Sequence, residues 1–285
     1  MSYFSPASLS EALDHLATAA PAVVAGGTDL YPALGDRPAP ASLLDLTRIA
    51  EMRGIRRTPQ GLRIGACTTW AEIAAAGLPH GFDGLRGAAR EVGSIQIQNA
   101  GTLAGNLCNA SPAADGVPPL LTLHATVELA SRSGTRSLSL QDFILGVRKV
   151  ALRPDELLVA VHLPDPPAGA RGSFLKLGAR RYMVISIAMV AALVWRDDDG
   201  CIAGARIAVG ACSPVACRLP RLERALVGLA PDDLRAGSDL WHDPIEALSP
   251  INDIRGSAEY RRDVVAELCR RAVLVALQRP EAAHE

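Results

Sequence analysis

Lysine is nearly missing from this chain: Lys149 and Lys176 are the only two among 29 basic residues, and the rest are arginine. The basic residues are balanced by 30 acidic ones, for a formal net charge of −1, so no excess charge points to a nucleic acid or an anionic membrane. The six cysteines, at 67, 108, 201, 212, 217 and 269, form no CxxC, and no two histidines stand at ligand spacing. That excludes a zinc or iron–sulfur centre bound within the chain. No strand opens into GxGxxG, no glycine loop ends in the lysine of a P-loop, and no GxSxG elbow occurs. The longest apolar run, from Met183 to Trp195, is shorter than the roughly 20 residues a bilayer requires. The start, MSYFSPASLSEALDHL, has neither the basic nor the apolar region of a signal peptide. The expectation is a cytoplasmic protein with reduced thiols and no membrane span.

What is present suits a globular protein of two domains. The chain has 285 residues, 49% hydrophobic and 21% charged, enough for a sizeable core. Ser8-Leu-Ser-Glu11 has capping-box spacing before Leu9, Leu13 and Leu16 at helical period. Ala22 to Ala25 reads as a buried strand entering Gly26-Gly27-Thr28-Asp29-Leu30, which is either an ordinary glycine turn or a phosphate cradle. Pro32 to Pro40 reads as a loop, Ser42 to Leu46 as a strand, and Ile55 to Arg57 with Leu62 to Ile64 as a hairpin. Thr69-Trp-Ala-Glu72 opens a helix, and Asp83 caps another over Leu85 to Val92. Strands follow at Ala125 to Ala130, Arg136 to Leu138 and Leu157 to Leu163. Asp165 to Gly172, rich in proline and glycine, reads as a linker. Beyond it, Met183 to Arg196 and Cys201 to Ala211 flank the turn Asp197-Asp-Asp-Gly200, and Arg221 to Gly228 and Ser257 to Gln278 read as helices. The fold class expected is α+β, with a small antiparallel-sheet domain at the C-terminal end.

The stretch from Gly93 to Leu121 stands apart. It is rich in glycine, asparagine and proline, Asp115 is its only charged residue, and its composition suits neither a helix nor an uninterrupted strand. Gly101 and Gly105 permit positive φ and close backbone approach, while Asn99, Asn106, Asn109, Thr102 and Ser111 supply short polar side chains. Two such loops, with so few carboxylates, suit an anion held by backbone N–H groups, and a pyrophosphate in particular. Asp29 and Asp115 read as turn caps or as acceptors from a ribose or diol. The residues alone do not choose FAD over another phosphorylated ligand. The six histidines gather with no nucleophile or carboxylate cluster.

Taken together, Val23-Val-Ala-Gly-Gly-Thr-Asp-Leu30 and Gly101-Thr-Leu-Ala-Gly-Asn-Leu-Cys-Asn-Ala-Ser-Pro-Ala-Ala-Asp115 resemble the two FAD loops of the flavoprotein (medium) subunit of molybdenum hydroxylases, the xanthine dehydrogenase and carbon monoxide dehydrogenase family. The resemblance spans essentially the whole chain. It implies a two-subdomain FAD-binding domain of the vanillyl-alcohol oxidase (PCMH) type over 1–168, divided near 57, and a C-terminal domain over 173–278. It implies that Val23, Val24, Ala25, Gly26, Gly27, Thr28, Asp29 and Leu30 wrap the FAD pyrophosphate through backbone N–H groups. Gly101, Thr102, Leu103, Ala104 and Gly105 would form a second wall, with the Thr102 hydroxyl on a phosphate or ribityl oxygen. Asp115 would accept from a ribose or ribityl hydroxyl, and Leu158 and Lys176 would line the flavin. No residue would act as acid or base. The implied partners are a 2Fe–2S small subunit and a molybdopterin-binding large subunit, in a heterotrimeric unit able to dimerise, with NAD or oxygen as the electron acceptor.

The chain also departs from the pattern. Ala104 stands where relatives often carry glycine, Gln98 where they often carry arginine, and Tyr182-Met183-Val184 where an acidic or tyrosine position is common. Two other classes compete with this reading: a self-contained FAD oxidase with its own substrate base, and a scaffold that has lost FAD.

Overall fold

The computed structural model describes residues 2–180, 184–234 and 239–278. Its N-terminal portion opens with β1 (Ser2–Phe4), α1 (Leu9–Ala19), β2 (Ala22–Val24), α2 (Leu30–Leu34) and β3 (Ser42–Asp45). The three strands form a parallel sheet in the order β1-β3-β2. Ser8 caps α1 by accepting from the Glu11 N–H, and Ala12, Leu13 and Leu16 bury the helix face. α2 occupies the start of the segment expected as a loop, because Pro32 falls within the first turn, where its missing N–H costs nothing.

A second sheet follows, built from β4 (Ile55–Thr58), β5 (Gly61–Gly65), β6 (Thr126–Ser131), β7 (Gly134–Ser139) and β10 (Leu157–Leu163). All its pairings are antiparallel, in the order β4-β5-β10-β6-β7, with β10, apolar but for His162, at the centre. Between its hairpins run α3 (Trp70–Ala75), α4 (Asp83–Glu91), α5 (Ile95–Ala100), α6 (Leu103–Asn109) and α7 (Val117–Thr122); α8 (Leu140–Phe143) and the ribbon β8 (Ile144–Gly146) and β9 (Lys149–Val150) precede β10. Thr69 and Glu72 complete a capping box at α3. Asp83 lies inside the first turn of α4 rather than capping it, since a single-turn 3₁₀ segment already delivers the chain.

The stretch 93–121 is not the irregular loop its composition suggests. It folds as three short helices, with Ser94 capping α5, Thr102 capping α6 and two prolines in the first turn of α7. Each is six or seven residues long, so local capping and burial, not propensity, hold it. Gly101 has φ −64°. The need for glycine there is close approach: an added Cβ would lie 2.9 Å from the Ile97 carbonyl oxygen.

The C-terminal portion is β11 (Arg171–Leu177), β12 (Ala188–Arg196), β13 (Ile202–Gly210), β14 (Cys217–Arg218), α9 (Pro220–Leu226), α10 (Asp239–His242) and α11 (Ala258–Gln278). The strands pair antiparallel in sequence order, with α11 packed across β11 and β12. β11 begins inside the expected linker. Its partner β12 and the docking of α4 impose the extended conformation; Gly84 lets α4 approach so closely that a Cβ would stand 2.9 Å from the Ser173 carbonyl oxygen. The strand expected from Met183 starts at Ala188; residues 184–187 precede it without strand pairing, and Met183 lies outside the described residues. One apolar core fills the first two sheets around Trp70, Phe82 and Phe143, and a second lies under α11 around Trp241 and Cys269. No helix among the described residues is long and apolar enough to cross a membrane. The class is α+β, as expected.

Candidate functional site

β2, at the edge of its sheet, delivers the chain into the glycine turn, and α5 and α6 bring the second glycine-bearing segment against it. The contact is backbone on backbone. A Cβ on Gly26 would stand 1.9 Å from the Ala100 carbonyl oxygen and 2.9 Å from the Gly101 Cα, so only glycine lets the two segments meet. Gly27 has φ +69°, and the Tyr31 ring lies against its Cα face.

Between these segments and the Leu157–Leu158 end of β10 lies a cleft of about 430 Å³, within the range of small-molecule and cofactor sites. Val23, Val24, Ala25, Gly26, Gly27, Thr28, Asp29 and Leu30 all line it, as do Gly101, Thr102, Ala104, Gly105 and Leu158. Leu103 is fully buried in the core beneath it. Asp115 and Lys176 are not among its lining residues; they pair with each other at 2.9 Å, and Lys176 lines a second cavity with Glu91, Leu177, Gly178, Arg180 and Val184. Further walls come from Leu46, Cys67, Trp70 and Val92, which no local motif marks, and from Asn106 and Asn109 of the second segment. Trp70 arrives through tertiary packing: its N–H donates to the Gly101 carbonyl at 3.1 Å, and Thr69 bridges Thr102.

The two segments use their backbone donors differently. Among the described residues, the N–H groups of Ala25, Gly26, Gly27, Thr28, Asp29 and Leu30 have no protein acceptor. The Thr28 and Asp29 side chains likewise make no hydrogen bond to described residues. In the second segment the donors at 103–105 are spent: Leu103 N–H on the Thr68 carbonyl at 3.0 Å, Ala104 N–H on the Ala66 carbonyl at 3.1 Å, and Gly105 N–H on the Thr102 hydroxyl oxygen at 3.1 Å. That hydroxyl keeps its own proton free to donate.

Among the described residues, Asp29 is the only formally charged one lining the cleft, and no lysine or arginine does. Burial pushes the Cys67 and Cys108 thiols up to about 12, so neither is a thiolate at neutral pH. The Asn106 Oδ1 is buried beside the cleft with no hydrogen-bond partner among the described residues. The described walls offer N–H dipoles and amides to an anion with an apolar body, with Asp29 as their one carboxylate and with no lysine or arginine. These features fit a dinucleotide's pyrophosphate.

The comparisons with known proteins agree in kind. Residues 1–166 match the family of FAD binding domains in molybdopterin dehydrogenases, and residues 173–276 match the CO dehydrogenase flavoprotein C-terminal domain. The nicotinate dehydrogenase FAD-subunit of Eubacterium barkeri is 34% identical over 277 residues, covering 92% of this chain and 91% of the relative. The nicotine 6-hydroxylase medium subunit of Paenarthrobacter nicotinovorans is 34% identical over 280 residues, covering 96% of each. Among solved structures, a chain of quinoline 2-oxidoreductase from Pseudomonas putida 86 superposes with a TM-score of 0.88 at 30% identity, covering 98% of this chain and 97% of that one. The chain belongs to the FAD-binding medium subunits of the molybdenum hydroxylase family.

Proposed function

We propose that this chain is the electron-transferring flavoprotein of a multi-subunit molybdenum hydroxylase. In that assembly it receives electrons from a 2Fe–2S small subunit, while a molybdopterin-binding large subunit hydroxylates the organic substrate. The acceptor it serves is NAD or oxygen, and the assembly is a cytoplasmic heterotrimeric unit that can dimerise. FAD supplies the redox chemistry, taking up and releasing electrons when bound.

The residues of the chain bind and orient that cofactor. The six unspent N–H groups from Ala25 to Leu30 receive the pyrophosphate; this observation carries the reading, because such donors lining a cleft require an acceptor. Thr102, Ala104 and Gly105 form the facing wall, and the Thr102 hydroxyl donates to a phosphate or ribityl oxygen. Leu157 and Leu158 make one end of the cleft apolar and would exclude water from the part of the cofactor held there. An oxidase acting on its own substrate needs a positioned base, and among the described residues the cleft lining offers only Asp29 and two thiols held at about 12.

The test is the visible spectrum of the chain purified alone and in its native complex. Flavin bands that survive desalting and are released by acid as FAD are expected in the native complex, together with two further subunits. A colourless native complex contradicts the reading.

A further inference from the structure

Arg148 is not among the residues lining the cleft, yet its side chain grips one that is. It sits at the turn of the exposed β8–β9 ribbon with φ +57°, a left-handed conformation uncommon for a side chain of its size. Contacts with the end of α6 hold it there. Its backbone N–H donates to the Ala110 carbonyl at 2.9 Å. Its Nη1 donates to the Asn109 carbonyl at 3.2 Å and also to the Asn109 side-chain oxygen, Oδ1. Asn109 is the last residue of α6, and Ala110 is its left-handed cap. A guanidinium against the final carbonyls of a helix meets the negative end of its dipole.

The side-chain contact also decides which way the Asn109 amide faces. A guanidinium carries donors and no acceptor, so the atom turned toward it is the amide oxygen and the NH₂ group is turned elsewhere. Asn109 lines the cleft, and its Nδ2 has no acceptor among the described residues. An amide free to rotate would offer a ligand its oxygen or its nitrogen. With Oδ1 engaged from outside, only the donor is left. It belongs to the wall whose backbone donors at 103–105 are already spent within the protein.

We propose that Arg148 is a positioning residue for the cofactor: it holds the Asn109 amide so that Nδ2 donates to an oxygen of bound FAD. This rests on the reading of the cleft as the FAD site. The positive charge stays outside, on the ribbon, and only its orienting effect reaches the cleft. The second wall thereby gains a side-chain donor beside the Thr102 hydroxyl while no lysine or arginine among the described residues lines the site.

The deciding experiment uses the full chain in four forms: wild type, Arg148→Gly, Asn109→Ala and the double variant. Glycine accepts the positive φ, so the guanidinium is removed without straining the turn. FAD dissociation constants are measured, with thermal midpoints in the absence of FAD. Asn109→Ala is expected to weaken FAD binding about tenfold, the loss of one hydrogen bond to the ligand. Arg148→Gly is expected to weaken it about threefold or more in the wild-type background and less than about 1.5-fold in the Asn109→Ala background. Its thermal midpoint is expected to stay within about 3 °C of wild type. The side-chain amide resonance of Asn109, identified by its loss in Asn109→Ala, is expected to shift when FAD is added. In Arg148→Gly it is expected to be displaced before FAD is added. Asn109→Ala with wild-type affinity, or an Arg148→Gly loss equal in both backgrounds, overturns the proposal. Where Arg148→Gly does not fold, Asn109→Ala and the wild-type resonance carry the test, and a resonance unmoved by FAD is equally fatal. A chain that holds no FAD, alone and in its native complex, refutes the cleft reading instead.

Discussion

The two glycine-bearing segments that meet at the cleft have similar compositions and opposite uses. From Ala25 to Leu30 six backbone donors are left unspent, whereas at 103, 104 and 105 the donors are satisfied within the protein. The first segment is built to receive a ligand; the second is a wall already holding itself in place. Their glycines divide the same way. Gly27 takes φ +69° and aims the turn, while Gly101 has ordinary φ and is small so that Ile97 and Thr28 can lie close. A motif marks where two segments matter together, but the hydrogen-bond accounting says which one has capacity left.

The contrast breaks most completely at the contact between the segments. In Gly26→Ala the added methyl would stand 1.9 Å from the Ala100 carbonyl oxygen, and backbone must shift to admit it. Overpacking of this kind costs about 1–3 kcal/mol. If the strain falls on the binding-competent form, FAD affinity drops by about 100-fold at the upper end of that range. Isothermal titration with FAD checks this, and affinity unchanged from wild type would show that the segments need not touch. A smaller effect is expected at Thr102→Ala, which removes the acceptor for the Gly105 N–H. Losing such a cap costs about 1 kcal/mol. Thermal unfolding is expected to show a fall of about 2–4 °C, with Thr102→Ser close to wild type.

Much of this arrangement was legible in the sequence, and for identifiable reasons. The strand into Gly26-Gly27, the hairpins of the second sheet and α11 follow from turn chemistry and periodicity, which act over a few residues. The N-cap at Ser8 and the capping box at Thr69 are equally local. What escaped is what only tertiary contact decides. The helices α5, α6 and α7 arise from caps and burial in a stretch of poor propensity, and β11 is extended because β12 lies beside it. Trp70 and Val92 reach the cleft through packing, with no spacing to announce them. The resemblance to the medium subunits marked Asp115 and Lys176 as notable positions. Their pairing across the domain boundary became visible only in three dimensions.

The central claim, that one segment receives the cofactor and the other supports it, is tested most directly by residue-resolved amide hydrogen exchange with and without FAD. The account predicts fast exchange from Ala25 to Leu30 in the free chain and strong protection there when FAD is added. The amides of Leu103, Ala104 and Gly105 are expected to be protected already and to change little. Protection gained at 103–105 while 25–30 stays unchanged would contradict the account.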